Sequence, residues 1–151
     1  MTGERVAELL GLRPLPHEGG LFRRTYADEH SAAIYFLLVA PEFSAMHALG
    51  STEVYHWYAG APLRLLLLDD GLDDGVAEPV LGPDLAAGQH PQVVVPAGTW
   101  QGSSSLGEWT LVGTTTAPPF DWATFRLGAR AALTARHPTA RVRIAQLTTA
   151  L

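Results

Sequence analysis

From about Phe22 to Ala117 the chain is a succession of short apolar or alternating runs, and this pattern constrains the fold more than any other feature. The runs read "LFRRTYA", "SAAIYFLLV", "AMHAL", "EVYHWYAG", "LRLLLLD", "VAEPVLG", "PQVVVPAG" and "WTLVGTTTA". Between them stand "PEFS", "GST", "GAP", "DDGLDDG", "GPDLAAG" and "GSSSLGE", clusters of the residues that form turns. Runs of this length and composition fit strands, and no helix-period segment separates them. This argues against a parallel sheet with crossover helices, and with it a nucleotide-binding α/β fold. The expected architecture is all-β and antiparallel, a sandwich or barrel. Helical signals are confined to the ends. Val6, Leu9 and Leu10 follow a Thr2 cap and stop at Gly11 and Pro14, and "ARAALTARHP" stops at Pro138.

A chain of 151 residues with 47% hydrophobic content can bury one good core, so residues 1–151 are expected to form a single domain. The formal net charge of -5 is scattered, which marks neither a nucleic-acid surface nor a polybasic membrane anchor. No cysteine is present, so disulfides, thiolate ligands and a cysteine nucleophile are ruled out together. "MTGERVAELLGL" carries Glu4, Arg5 and Glu8 and does not read as a signal peptide. No apolar run reaches membrane-spanning length, and a cytoplasmic protein is expected.

The chemistry-bearing stretch is "SAMHALGSTEVYHWYAG", which places His47, Glu53 and His56 close together. Glu53, six residues and Gly60 resemble the back half of the first cupin motif, with His47 at the place of its first histidine. The second motif resembles "PAGTWQ", with Pro96 and Gly98 in place. Leu49 and Gln101 stand where the family pattern carries histidines. Further blocks, among them "LGLRPLPHEGGLFRRTYAD", "LGPDLAAGQHPQVVVPAGTWQ" and "LVGTTTAPPFDWATFRLG", extend the likeness across nearly the whole chain. The sequence thus resembles the cupin-5, or DUF985, branch of the cupins. The resemblance implies a single antiparallel jelly-roll β-barrel from about Phe22 to about Phe125, with short flanking helices, and a homodimer.

Side-chain alternation sorts the candidates within such a barrel. Glu53, Tyr55 and Trp57 share one face of their strand, and Val54, His56 and Tyr58 the other, so an inward Glu53 puts His56 outside. Phe22, Arg24 and Tyr26 alternate with Leu21, Arg23 and Thr25, so only one of the adjacent arginines faces the lumen. The family pattern points to Arg23, whose guanidinium suits a carboxylate or phosphate. Tyr35, Gln92 and Trp100 are further candidates for the lumen wall. A loop histidine at His17 beside Glu18 is assigned to solvent. Trp57, Trp109, Trp122, Phe36 and Phe125 are assigned to core filling. The outward strand "LRLLLLD", with His56 and Tyr58, offers apolar surface for the dimer.

Two uses of the central pair are open. A metal would find only His47, Glu53 and the weak neutral ligand Gln101, so no cofactor is expected beyond a weakly held divalent metal. Without metal, His47 acts as a general base oriented by Glu53, with Tyr55, or Tyr35 on the neighbouring strand, as the proton-returning or enolate-holding group. The expected function is small-molecule binding, with acid/base epimerase, isomerase or lyase chemistry in carbohydrate or secondary metabolism. A non-catalytic metabolite-binding or storage-like cupin is the alternative, and a weak-metal oxygenase is disfavoured by Leu49 and Gln101.

Overall fold

The computed structural model describes residues 1–149. Eight strands carry the architecture: β1 (Leu21–Ala27), β2 (Ala32–Val39), β3 (Phe43–Ala48), β4 (Thr52–Gly60), β5 (Leu63–Leu68), β6 (Gln92–Val95), β7 (Trp100–Ser105) and β8 (Trp109–Ala117). They form two antiparallel sheets. The first has the order β1-β2-β8-β4-β6, with Arg13–Pro14 added beside β1. The second has the order β3-β7-β5, with Arg126–Leu127 beside β3 and two short pairs, Val76–Ala77 and Val80–Leu81, on β5. Sequence neighbours repeatedly pair across or switch between the sheets, which is the jelly-roll solution to closing an antiparallel structure.

Alternation decides what lies between the sheets. Phe36 and Leu38 of β2, Tyr55 of β4, Leu63, Leu65 and Leu67 of β5, Val95 and Val112 form one buried cluster. The other face of β5 is not exposed. Leu66 and Leu68 pack with Met46 against Leu133, Ile144 and Leu147, which come from α2 (Arg130–Arg136), α3 (Arg141–Gln146) and the residue after α3. A strand with apolar residues on both faces is thus explained by a helical cover on the outside of the second sheet. This corrects the expectation that "LRLLLLD" offers free apolar surface to a partner copy. The outer face of the first sheet keeps exposed apolar side chains, with Tyr58 49% and Val94 54% exposed.

At the N-terminus α1 (Gly3–Leu10) is capped by the Thr2 hydroxyl, which accepts from Arg5 N, and it ends at Gly11 in the left-handed region. The segment that follows makes a sharp turn. His17 (φ 66°), Gly19 (φ 96°) and Gly20 (φ 77°) all take left-handed backbone, which L side chains rarely adopt. A Cβ on Gly20 would stand 2.7 Å from the Phe36 ring, and one on Gly19 would stand 2.7 Å from the Phe43 carbonyl oxygen. The turn is therefore pressed into the barrel end rather than looped over it, and Ala45 N donates to Glu18 O at 2.8 Å.

Gly20→Ala is expected to lower stability by about 1–3 kcal/mol, through overpacking against Phe36 and the left-handed backbone. Urea unfolding checks this: a reduced midpoint at unchanged slope is the expected result, and an unchanged midpoint contradicts the packing.

Candidate functional site

The space between the sheets opens into a cavity of about 690 Å³. Its polar lining includes Glu18 from the tight turn, Glu53 and Tyr55 from β4, and Thr114 and Thr116 from β8. Register explains the grouping, because Glu53 pairs with Thr116 and Tyr55 with Thr114, so the four side chains share the inner face. Glu18 arrives from outside the sheets. A β-bulge in β3, where Gln101 pairs with His47 but Ser103 pairs with Ser44, turns both Ser44 and His47 toward it.

His47 is buried, 1% exposed, with Nδ1 2.7 Å from the Ala45 carbonyl oxygen. A carbonyl accepts only, so Nδ1 carries the hydrogen, and Nε2 faces Glu18 Oε1 at 3.3 Å. The Ser44 hydroxyl donates to the other Glu18 oxygen at 2.8 Å. Burial raises the Glu18 pKa to about 7, with the Ser44 bond opposing the rise. Burial also lowers the pKa of His47, against the pull of the Glu53 charge and the Ala45 bond. Both trends favour the neutral forms of the two groups, with Glu18 Oε1 facing Nε2 of an uncharged imidazole.

A second chain runs beside the first. The Tyr55 hydroxyl donates to Gln101 Oε1 at 2.6 Å, and Gln101 Nε2 donates to Glu53 Oε1 at 3.0 Å. Burial and the charge of Glu18 raise the Glu53 pKa to about 6, while His47, Thr114 and Gln101 pull it down. Tyr55 is pushed well above its ordinary 10 by burial and by the charges of Glu53 and Glu18. Its proton is committed to Gln101, which leaves it poorly suited to return a proton.

The expected site residues divide into three groups. Glu53 and Tyr55 line the cavity, and His47 and Gln101 lie directly behind that lining. Glu53 is not the hydrogen-bonded orienter of His47; the Ala45 carbonyl and Glu18 hold the ring. Tyr35, Gln92 and Trp100 point away. Tyr35 meets Tyr58 edge-on at 6.2 Å outside the first sheet, and Gln92 Nε2 lies 3.3 Å from His56 Nδ1 on the same outer face. Trp100 packs outside the second sheet beneath the Arg126 guanidinium, 5.0 Å from its ring centroid. Arg23 borders the cavity, but its guanidinium donates to Leu10 O at the end of α1. Arg24, in register with inward Ile34, takes the inner face instead.

Glu18 is the principal residue that alternation missed, since it sits in a loop where no period applies. The signal was present in "HEGG", a carboxylate before two residues able to take left-handed backbone. The aromatic segment after β8 does more than fill the core. Phe125 stacks on His47 at 5.6 Å and 18°, while Trp122 and Phe120 line the cavity opening, with His17 edge-on to Trp122 at 5.6 Å.

The metal that the cupin resemblance brings to mind does not fit these donors. Gln101 Oε1 already accepts from Tyr55, His47 has one nitrogen on a carbonyl and the other on Glu18, and Leu49 fills the second histidine position. Among the described residues no three His, Asp or Glu side chains are grouped to hold a metal ion.

Two facing antiparallel sheets of this connectivity around a polar-floored lumen define a cupin barrel. The chain belongs to the Cupin superfamily (DUF985) family, whose model matches residues 4–128. A crystal structure of a protein from Shewanella oneidensis superposes with TM-score 0.91 at 29% identity, covering 100% of this chain and 99% of that one. A hypothetical protein from Leishmania major gives 0.89 at 26% identity, covering 99% and 100%. Oxalate decarboxylase from Bacillus subtilis matches at TM-score 0.60 and 12% identity over 90% of this chain and 37% of its own, a likeness of fold alone. No curated protein matches. No helix among the described residues is long and apolar enough to cross a membrane.

The raised Glu18 pKa has a signed consequence for stability. Stabilisation from the protonated group is fully present below its ordinary 4.5 and is lost as pH rises through about 7. Glu18→Gln keeps a donor for His47 and cannot ionise. Its stability should therefore fall less steeply between these pH values than that of the wild type, by on the order of 3 kcal/mol. Parallel denaturation midpoints across this range would show that Glu18 titrates normally.

Proposed function

We propose that this cupin is a small-molecule isomerase, epimerase or lyase that moves a proton by metal-independent acid/base chemistry. The observation that supports this is a pair of buried carboxyl groups on one cavity, each raised toward neutrality yet differently partnered. Glu53 accepts hydrogen bonds from Gln101 and Thr114, which favour its ionised form. Glu18 faces an imidazole lone pair, which favours its protonated form.

The division of labour follows from these partners. Glu53 carboxylate takes a proton from a carbon next to a ligand carbonyl, and the C–H electron pair moves onto the carbonyl, whose oxygen receives the Glu18 proton. The product is the enol, with Glu53 protonated and Glu18 ionised against His47. Delivery of the Glu53 proton to the other face of the same carbon, after the enol reorients and as Glu18 takes back the enol proton, gives an epimer. With an α-hydroxy carbonyl, Glu18 instead takes the proton of the second enediol hydroxyl while Glu53 protonates the former carbonyl carbon, giving an isomer. Departure of a leaving group from the β-carbon with the Glu53 proton, as Glu18 takes back the enol proton, gives a lyase. His47 is a positioning residue that holds the Glu18 proton on the correct oxygen.

The test is exchange of ligand hydrogen in deuterated water, followed by NMR with small keto acids and sugar nucleotides. Solvent deuterium should enter at a ligand carbon, and chelators should leave the exchange rate unchanged. Glu53→Gln should lower exchange by about two to four orders of magnitude without unfolding the barrel, as expected for a lost general base. The pH profile should be a narrow bell with limbs near about 6 and about 7, belonging to the two carboxyl groups together. A ligand that binds in the cavity and never exchanges would move the assignment to a non-catalytic binding cupin.

A further inference from the structure

The ten basic residues of the chain are all arginines, and most are engaged. Arg5 pairs with Glu8, Arg64 and Arg143 with Glu78, and Arg136 with Asp70, while Arg130 is held by Thr148 and Arg126 lies over Trp100. Arg23 is spent on the end of α1. Among the described residues Arg13, Arg24 and Arg141 have no ion-paired, hydrogen-bonded or stacked side-chain partner, and of these Arg13 and Arg24 line the cavity. Register brings them to one face: Arg13 pairs with Phe22, which stands two residues from Arg24 on the same side of β1. Two free guanidinium groups thus stand at the solvent end of a cavity whose inner end carries two carboxyl groups, in a chain of net charge -5.

Two further features of the cavity bear on what it could hold. Thr116 is 5% exposed and lines the cavity, yet its hydroxyl has no hydrogen-bond partner, an arrangement that costs free energy unless a ligand supplies one. Trp122 is braced by Phe120 at 4.7 Å and Phe125 at 5.0 Å while remaining 47% exposed at the opening. A rigidly held, half-open indole that lines the same cavity as the two guanidinium groups is a surface on which a flat or ring-shaped body can stack.

Taking the inner carboxyl groups as the acid/base site proposed above, we infer that the ligand is an organic anion with its charge at one end only. Arg13 and Arg24 hold its phosphate or carboxylate, and its ring-shaped or planar body lies against Trp122 and Phe120. Its uncharged carbonyl or hydroxyl end reaches Thr116, Glu53 and Glu18. A second anionic group at the inner end is disfavoured by like-charge repulsion from Glu53 in a medium that screens poorly. The volume of about 690 Å³ lies within the range of pockets for drug-sized molecules, well beyond the needs of a two-carbon acid.

The test uses two fluorescent probes of similar shape, anionic 1-anilinonaphthalene-8-sulfonate and uncharged N-phenyl-1-naphthylamine. The wild type should bind the sulfonate more tightly, and Arg13→Gln with Arg24→Gln should weaken it by about tenfold or more, the scale of one lost charge-assisted contact. Binding of the uncharged probe should be unchanged, and Arg23→Gln should leave both affinities as in the wild type. Competition identifies the anion. Displacement of the sulfonate by phenyl phosphate assigns a phosphate, displacement by benzoate assigns a carboxylate, and displacement by benzyl alcohol as strong as by either overturns the inference. So does equal binding of the two probes, or a sulfonate affinity indifferent to both arginines. These readouts need no turnover. Arginine-dependent anion binding without any ligand exchange would overturn only the acid/base reading, and exchange without anion preference would overturn only the anion site.

Discussion

The insertion of Glu18 between the sheets is the interaction on which the rest of the site depends. A carboxyl group taken out of water is costly unless hydrogen-bonded, and this one is met by the Ser44 hydroxyl and by His47 Nε2. The backbone is held as firmly, since Ala45 N donates to Glu18 O and so links the turn to β3 of the opposite sheet. Only a chain with left-handed backbone at His17, Gly19 and Gly20 can enter and leave the barrel end so sharply. Once it has, Gly20 lies against Phe36, His17 meets Trp122, and Phe125 closes over His47. The inner end of the cavity and its aromatic border are therefore one packed unit.

That unit separates the groups that touch the cavity from those that control them. Glu18, Glu53 and Tyr55 form the surface, while His47 and Gln101 sit behind it. In such a position an imidazole and an amide fix proton positions without competing for the ligand. Gln101 is decisive, because its two ends are distinct: the amide nitrogen favours an ionised Glu53, and the oxygen holds the Tyr55 proton. The replacement that makes the cupin motif look incomplete is what completes this hydrogen-bonded chain.

The C-terminal helices answer a separate problem. By covering Leu66 and Leu68 they let β5 be apolar on both faces, which stiffens the second sheet behind β3 and β7. The strands that carry His47 and Gln101 are thus backed by packed side chains on one side and the lumen on the other. Such support allows two raised carboxyl groups to persist although each costs stability at neutral pH.

Much of this architecture was legible in the chain itself. Short strand-like runs with turn residues between them determined an antiparallel barrel, and strict alternation along "EVYHWYAG" put Glu53 and Tyr55 inside and His56 outside, because successive side chains on a strand must face opposite ways. The same logic established that only one of Arg23 and Arg24 can face the lumen, but not which, since parity needs a reference and the reference is the partner strand β2. Tyr35, Gln92 and Trp100 were misplaced for the same reason: each lies on a strand whose inward face is set by register, not by its own sequence. Glu18 lay beyond any period, in a turn whose depth depends on the sheet it meets. The bulge that turns both Ser44 and His47 toward it exists only in the pairing of β3 with β7. Local sequence determined which residues alternate and where the chain bends, because those preferences act within a few residues. The meeting of Glu18 with His47, and of both with the cavity, was decided by contacts between segments that only the folded barrel brings together.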